Sequence, residues 1–505
     1  MAQTNYRVNL SAKTFPMIAS NWGRTVIVPQ YEQSNKVLAS SEDDDKDAGL
    51  PQAYYLEDVM PHQQGWQSVA YKTIIPNVNS TIEFLSILHV YDSLGNVTHI
   101  AVESAGKLYS IKSDDTWKDL GSYGNVVVSA AHVEGISYIW VKGVGCYKYD
   151  FGTDALVAVT LTGLTPADIN GITSSGGYLI AWTDDTIYWS STIDPTDFTP
   201  SLVTGAGAGK LEGAKGEIIT CLPISQGFIA YTSGNAVVGL ASGNSRYPFS
   251  FRELAAAGGL ESRLSVTRDS SITSHYAYTS DGLQQISAAS VVNVFPAVTD
   301  FLSGRILESF DPVTLQFTLT ETDATLRKRL TLVANRYLVI SYGLHGLSHA
   351  LIYDITLKRW GKVKVDHAAC FEYKRENDAI TETARQTIAF MLPQGGIKLL
   401  DMKRGATGAV GVLLLGKFQF HRSRLAQLNE IEVESTPETN AFSLTVLTAL
   451  DGKNTQIASD TALIKQDGEY KRYGCRAIGT NISLVFQGEF YLNSVEIGLS
   501  LHGRR

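Results

Sequence analysis

Cysteine is scarce in this 505-residue chain, and what there is stands far apart. Cys146, Cys221, Cys370 and Cys475 are separated by 75, 149 and 105 residues, with no Cys-x-x-Cys pair. That spacing argues against a zinc cluster and fits four small apolar core residues. Charge is sparse as well, at 18% of residues, and the positive sign is the one in deficit: 42 Lys and Arg against 50 Asp and Glu give a net charge of −8. A protein that grips nucleic acid displaces counterions with a basic stripe, and no such stripe is visible. No apolar run approaches the ~20 residues of a membrane-crossing helix. The opening Met1-Ala2-Gln3-Thr4-Asn5-Tyr6 lacks the basic and apolar blocks of a secretory signal, and no lipid-anchoring signal appears. The expectation is a chain that folds in a cytoplasm.

What is present is a hydrophobic fraction of 44%, enough for a large core. The first 80 or so residues are irregular. Thr25–Val28 reads as one strand, expected to pair with strands near the C-terminus. The acidic run Glu42–Asp47, with Asp43, Asp44 and Asp45 at its centre, reads as an exposed loop, because its charges repel and bury nothing. It lacks the Asp-x-Asp-x-Asp-Gly spacing of a calcium loop.

From about residue 82 the pattern changes to short Val-, Ile-, Tyr- and Trp-rich runs separated by Gly, Asp, Ser and Asn, as strands and tight turns require. Strand pairs recur, among them 100–104 with 107–111, 137–141 with 146–150, 177–183 with 186–190 and 228–232 with 236–240. The turn residues Gly106, Gly145, Asp185, Gly234 and Gly282 are 39, 40, 49 and 48 positions apart. A period of ~40–50 residues is that of four-stranded propeller blades. The prediction is an all-β protein: a β-propeller-like domain of roughly six or seven blades over 82–405, preceded by an arm over 1–81. A β-sandwich-like C-terminal domain follows over 406–505. The stretch Val291–Arg329 breaks the period and reads as an insertion with a short helix; Arg252–Ala257 also looks helical.

Several stretches invite a chemical reading. Thr204–Leu211, with Gly205, Gly207 and Gly209, has a Gly-Lys pair. It lacks the first glycine of a phosphate-binding loop and has Leu211 where Ser or Thr is needed, so it reads as a flexible loop. His345 and His349 have ligand spacing for a helix, but the flanking glycines Gly343 and Gly346 indicate a loop. In Asp194-Pro195-Thr196-Asp197-Phe198 two carboxylates three apart have the makings of a glycosidase pair. The same residues are ordinary turn formers. No nucleophile elbow appears. The expectation is a protein that is not an enzyme and needs no cofactor or metal.

Three features carry a resemblance. The first is Tyr54-Tyr55-Leu56-Glu57-Asp58-Val59-Met60-Pro61 followed by Gly65-Trp66-Gln67-Ser68-Val69. The second is Ile187-Tyr188-Trp189-Ser190 running into Asp194-Pro195-Thr196-Asp197-Phe198. The third is the closing β domain with its Gly503-Arg504-Arg505 end. In these the chain resembles the tail nozzle (tail hub, or phage stabilisation) proteins of short-tailed bacteriophages. The first segment is similar to the family's NVMP…GYxSV, with Asp58 in place of Asn and Trp66 in place of Tyr. The resemblance implies a structural virion protein in a homo-hexameric ring at the distal end of the portal–adaptor column. It implies contacts with the adaptor and with tail fibres or a tail needle, and transient passage of double-stranded DNA during retention and ejection. Location follows: the virion tail, and host cytoplasm before assembly. Six copies would carry about −48 formal charges, which suits a lumen that repels phosphate. The loops Gly205–Gly209 and Asp43–Asp45 are then candidate channel or gate elements. The alternative is a propeller that binds or hydrolyses glycans on its own.

Overall fold

The computed structural model describes residues 4–8, 10, 26–27, 36–38, 53–74, 82–244, 247–269, 271–311, 316–323, 325–373, 387–402, 408–419, 425–435, 442–450, 454–458, 462–467 and 470–502. The acidic run with Asp43, Asp44 and Asp45 and the final Gly503-Arg504-Arg505 lie outside them.

Strand pairing groups the centre of the chain into consecutive four-stranded antiparallel sheets. Blade 1 is Phe84–Tyr91, Val97–Glu103, Lys107–Ile111 and Trp117–Ser122. Blade 2 is Val128–Val133, Ile136–Val141, Gly145–Asp150 and Ala155–Val159. Blade 3 is Gly171–Ser175, Tyr178–Trp182, Thr186–Trp189 and Gly207–Lys210. Blade 4 runs from Ile218–Ile224 to Tyr247–Leu254, and blade 5 from Val266–Arg268 to Val291–Asn293. Blade 6 runs from Arg327–Val333 to Arg359–His367. Blade 7 takes Ala369–Tyr373, Thr387–Met391 and Ile397–Asp401 from this part of the chain, and its fourth strand, Ala70–Ile74, from far upstream. The first strand of each blade touches the first strand of the next, and that of blade 7 returns to blade 1. Seven blades therefore close a ring around a central bore, a β-propeller.

Ring closure explains why the middle strands read as almost unbroken apolar runs. A blade covered on both faces by its neighbours buries both sets of alternating side chains; all six residues of Gly227–Thr232 are buried. Separate apolar clusters fill the gaps between blades. Trp140 and Tyr138 of blade 2 meet Leu179 and Ala181 of blade 3, and Phe84 and Tyr109 of blade 1 meet Phe371 and Tyr373 of blade 7. Truncating any one of the larger side chains among these to Ala costs about 2–5 kcal/mol.

The expected period break is an insertion between blades 5 and 6. It holds the helix Pro296–Ser303 and a hairpin of Arg305–Asp311 with Gln316–Glu321. Val298, Phe301 and Leu302 of the helix are buried in a core shared with the C-terminal part. The expected second helical stretch, Arg252–Ala257, is instead the end of the strand Tyr247–Leu254 and a turn. Cross-strand pairing of Arg252 with Val238 and Glu253 with Val237 overrides its local helix preference.

The C-terminal part is a two-sheet sandwich. One sheet contains Leu425–Ser435, Tyr470–Gly479 and Tyr491–His502; the other contains Gly411–Gln419, Phe442–Leu450 and Asn481–Gly488. Leu428, Ile431, Val433, Val495 and Ile497 share a core with Leu413, Val446, Leu484 and Phe486. N-terminal strands extend both sheets: Thr4–Val8 pairs with Tyr491–His502, and Ala53–Glu57 with Gly411–Gln419. Val26–Ile27 pairs in parallel with Phe418 and Gln419. The early strand thus joins the C-terminal part as expected, while closure of the ring falls to Ala70–Ile74.

Candidate functional site

Three places gather the residues that sequence reasoning singled out, beginning with the seam between ring and sandwich. Val59–Pro61 and Trp66–Ser68 form a short hairpin. On one side Val59 pairs with Lys362 of blade 6; on the other Trp66 and Gln67 pair with Leu492 and Tyr491 of the sandwich. A single sheet of twelve strands therefore runs from the propeller into the sandwich through this hairpin. Asp58 enters it at φ 52°, a left-handed conformation that Asp and Asn tolerate better than other side chains. Its carboxylate accepts from the Lys364 N–H at 2.9 Å and from the Tyr71 hydroxyl. Burial raises the Asp58 pKa against those bonds.

The seam is held by buried cations. Arg359 donates to the carbonyl of His62 at 2.7 Å and to that of Leu10, and its guanidinium lies 4.6 Å from the Trp66 ring centroid. Burial lowers its pKa to about 10. Lys362, fully buried, places its ammonium 4.8 Å from the Tyr55 ring. His62 stacks on Tyr491 at 3.9 Å and reaches the Leu492 carbonyl at 2.9 Å. Of the motif residues, Val59, Met60, Pro61, Gly65 and Trp66 all sit here, and the chemistry is that of a joint.

At the outer side of blade 3 lie Asp194, Pro195 and Asp197. Asp194 Oδ1 accepts from the Thr196 N–H at 2.9 Å and its hydroxyl at 2.7 Å, and Asp197 Oδ1 accepts from the Thr199 N–H at 2.9 Å. The latter bond lowers the Asp197 pKa. The same turn recurs at Asp114 with Thr116, Asp323 with Thr325 and Asp354 with Thr356. These carboxylates cap their own turns.

Gly205, Gly207 and Gly209 require a correction. Gly207–Lys210 is a strand, the outermost of blade 3, paired with Thr186–Trp189. Gly207 and Gly209 are therefore not in a flexible loop, while Gly205 stays in the turn ahead of the strand at φ 74°. The physical reason is Trp189, whose indole N–H donates to the Gly205 carbonyl at 2.9 Å. A β-carbon on Gly207 would sit 3.0 Å from that ring, and one on Gly209 3.1 Å from Phe251. The glycines let a strand lie flat on aromatics.

His345 and His349 are not on a helix: His345 is in an exposed turn, and His349 is buried in Leu347–Asp354 with its ring stacked on Tyr342. Among the described residues no group of three or more His, Cys, Asp and Glu is placed to hold a metal. All four cysteines are buried, and burial pushes the Cys146 thiol up to about 12.

The bore holds residues that the sequence reading passed over. Arg263, just ahead of blade 5, donates to the carbonyls of Val126 and Val128 at the start of blade 2, at 3.0 and 2.9 Å. Blades 2 and 5 are three apart in a ring of seven, so this side chain crosses the centre. Arg329 of blade 6 donates to the carbonyls of Leu85 at the start of blade 1, at 2.5 Å, and of Ala368 at the start of blade 7. In the gap between blades 1 and 7, His89 and His99 meet Nδ1 to Nδ1 at 2.9 Å, with His99 against Phe371 and Tyr373. Burial, reinforced by Arg268, lowers the His89 pKa to about 4. The sequence does carry a signal for part of this: in Arg327-Lys328-Arg329, strand alternation puts both arginines on one face.

No protein-family model matches this chain, and no curated protein matches it. Solved structures to which it is similar, at low identity, include a β-propeller domain and two structures of YCF48. The WD40 β-propeller domain of Doa1 is 8% identical, with a TM-score of 0.39, over 66% of this chain and 98% of that one. YCF48 from Cyanidioschyzon merolae is 13% identical, with a TM-score of 0.39, over 65% and 98%. YCF48 bound to D1 peptide is 13% identical, with a TM-score of 0.38, over 67% and 97%.

Proposed function

We propose that this chain is a structural virion protein, the distal tail nozzle of a short-tailed bacteriophage. In this reading copies assemble into a hexameric ring below the adaptor, near fibres or a needle, and the ring conducts and retains the genome. The observation that carries the reading is the position of the motif on which the resemblance rests. Val59–Pro61 with Gly65 and Trp66 forms the hairpin that splices blade 6 to the sandwich, a place where substitution disturbs the whole architecture. A chain whose two β modules share one sheet suits a load-bearing subunit, and its net charge of −8 suits a conduit that should not hold DNA. The turn-capping roles of Asp194 and Asp197 favour this reading over glycan hydrolysis.

The test is mass spectrometry and antibody labelling of purified phage particles from the source of this sequence. The expected result is the chain at the tail tip, in about sixfold ratio to the whole particle. Its absence from particles, or hydrolysis of a cell-surface glycan by the purified chain that is lost in Asp194→Ala, would sink the proposal.

A further inference from the structure

We propose that the mouth of the propeller bore, between Arg263, Arg327 and Arg329, is an oxyanion site that takes a phosphate dianion. This rests on the bore alone and is independent of the nozzle reading.

The carbonyls that Arg263 and Arg329 contact belong to residues 126, 128, 85 and 368, at or just before the starts of the first strands of blades 2, 1 and 7. Those starts gather at one end of the bore. Arg327 opens the first strand of blade 6 at the same end and shares a face with Arg329. Three guanidinium groups thus converge on one opening in a chain that is acidic overall.

Among the described residues no carboxylate is hydrogen-bonded to them. Neither Arg263 nor Arg329 has a carboxylate partner among the described residues; both donate only to neutral carbonyls. The nearby carboxylate is already taken, since Glu261 pairs with Lys328 at 3.1 Å. Glu372, at the far end of blade 7's first strand, accepts from the Ala334 N–H at 2.8 Å. Half-buried cations held together without counter-charge are costly, and Arg329 feels both neighbours: after burial, Arg327 and Arg263 are what lower its pKa, to about 10. Donors are also left over. A guanidinium has five N–H groups; Arg263 uses its two Nη atoms on Val128 and Val126, and Arg329 uses only Nη1. Fixed guanidinium forks match the oxygens of phosphate, and a dianion offsets several cations where a monocarboxylate offsets one.

Calorimetric titration of the full chain with inorganic phosphate, at ionic strength held constant with chloride, tests this. Saturable binding is expected, with little response to acetate at equal concentration. Arg327→Gln is the informative variant, because the Arg327 side chain is exposed and makes no hydrogen bond to another described residue, while its strand pairing with Gly343 is through the backbone and stays intact. It should weaken phosphate binding about tenfold, the equivalent of one charge-assisted hydrogen bond. Lys148→Gln, on the third strand of blade 2, should bind as the parent does. Absence of saturable binding, an equal response to acetate, or an Arg327→Gln titration that overlays the parent would each overturn the site.

Discussion

Gly65 lies so close to Leu492 that a β-carbon at position 65 would stand 1.9 Å from the Leu492 carbonyl oxygen. The contact is the point where the seam hairpin meets the sandwich. Gly65→Ala must therefore push the hairpin off its partner, breaking the pairing of Trp66 with Leu492. A loss of about 3 kcal/mol is expected, at the upper end for overpacking against backbone. Scanning calorimetry should show one transition for the parent and two for the variant, as propeller and sandwich lose their common sheet. One unshifted transition in the variant would refute the role given to the seam.

Arg359 tests the same joint from the propeller side. It is 2% exposed, and its two carbonyl partners, His62 and Leu10, lie on N-terminal segments. Lys in its place keeps the charge but loses the planar fork and the stacking on Trp66. Arg359→Lys is expected to cost about 3 kcal/mol by urea denaturation, in line with leaving buried polar groups unmatched. A cost below about 1 kcal/mol would mean the guanidinium geometry is dispensable.

The recurrent Asp-x-Thr turn offers a comparison at fixed chemistry. Asp194 caps an exposed turn. Asp354 caps the same turn at 1% exposure and also pairs with Arg336, at 2.6 Å to Nη2 and 3.0 Å to Nε. Asp194→Ala should cost about 0.5–1 kcal/mol, one turn hydrogen bond near solvent. Asp354→Ala should cost about 2 kcal/mol, because besides the turn it loses the ion pair with the part-exposed Arg336 and leaves the N–H groups of Thr356 and Leu357 without their acceptor. Equal costs in thermal denaturation would show that burial does not govern these turns.

The blade count was legible because each blade must contain two or three tight turns, and Gly106, Gly145 and Gly282 mark theirs with φ of 80°, 153° and 98°. The closing strand was not. Ala70–Ile74 belongs with Ile397–Asp401 through pairing across most of the chain, and nothing local distinguishes it from its neighbours. Gly205–Gly209 was misread because composition alone suggests flexibility; the strand exists through Trp189 and Phe251, which lie elsewhere in sequence. The bore site stayed hidden for the same reason. Arg263 is an isolated arginine until the ring places it opposite Val126 and Val128.

Buried histidines set the response to acid. His275, fully buried, lies 2.8 Å through Nδ1 from the Tyr231 hydroxyl and 3.0 Å through Nε2 from the Pro223 carbonyl. His367 lies 2.7 Å from both the Ser341 hydroxyl and the Val365 carbonyl. In each ring the nitrogen facing a carbonyl must donate, and the hydroxyl at the other nitrogen serves as donor to the neutral imidazole that burial favours. Burial lowers both pKa values from 6.5 to about 4. The unfolded chain therefore binds more protons than the folded one between those values, so stability falls as pH drops through that window and levels off below it. The loss is at most roughly 3 kcal/mol per histidine, from 1.36 kcal/mol per unit. Carboxylates with lowered pKa values, such as Asp269 and Asp154, give way only nearer their unfolded values of about 4 and below. Asp58, whose pKa burial raises, acts in the opposite sense, so urea denaturation between about pH 7 and 4.5 isolates a histidine only as the difference in slope between the parent and a histidine variant. Stability should decline steadily across that range, and His367→Asn should have a shallower slope whatever its absolute stability. A His367→Asn slope that overlays that of the parent would show that this ring is protonated without penalty.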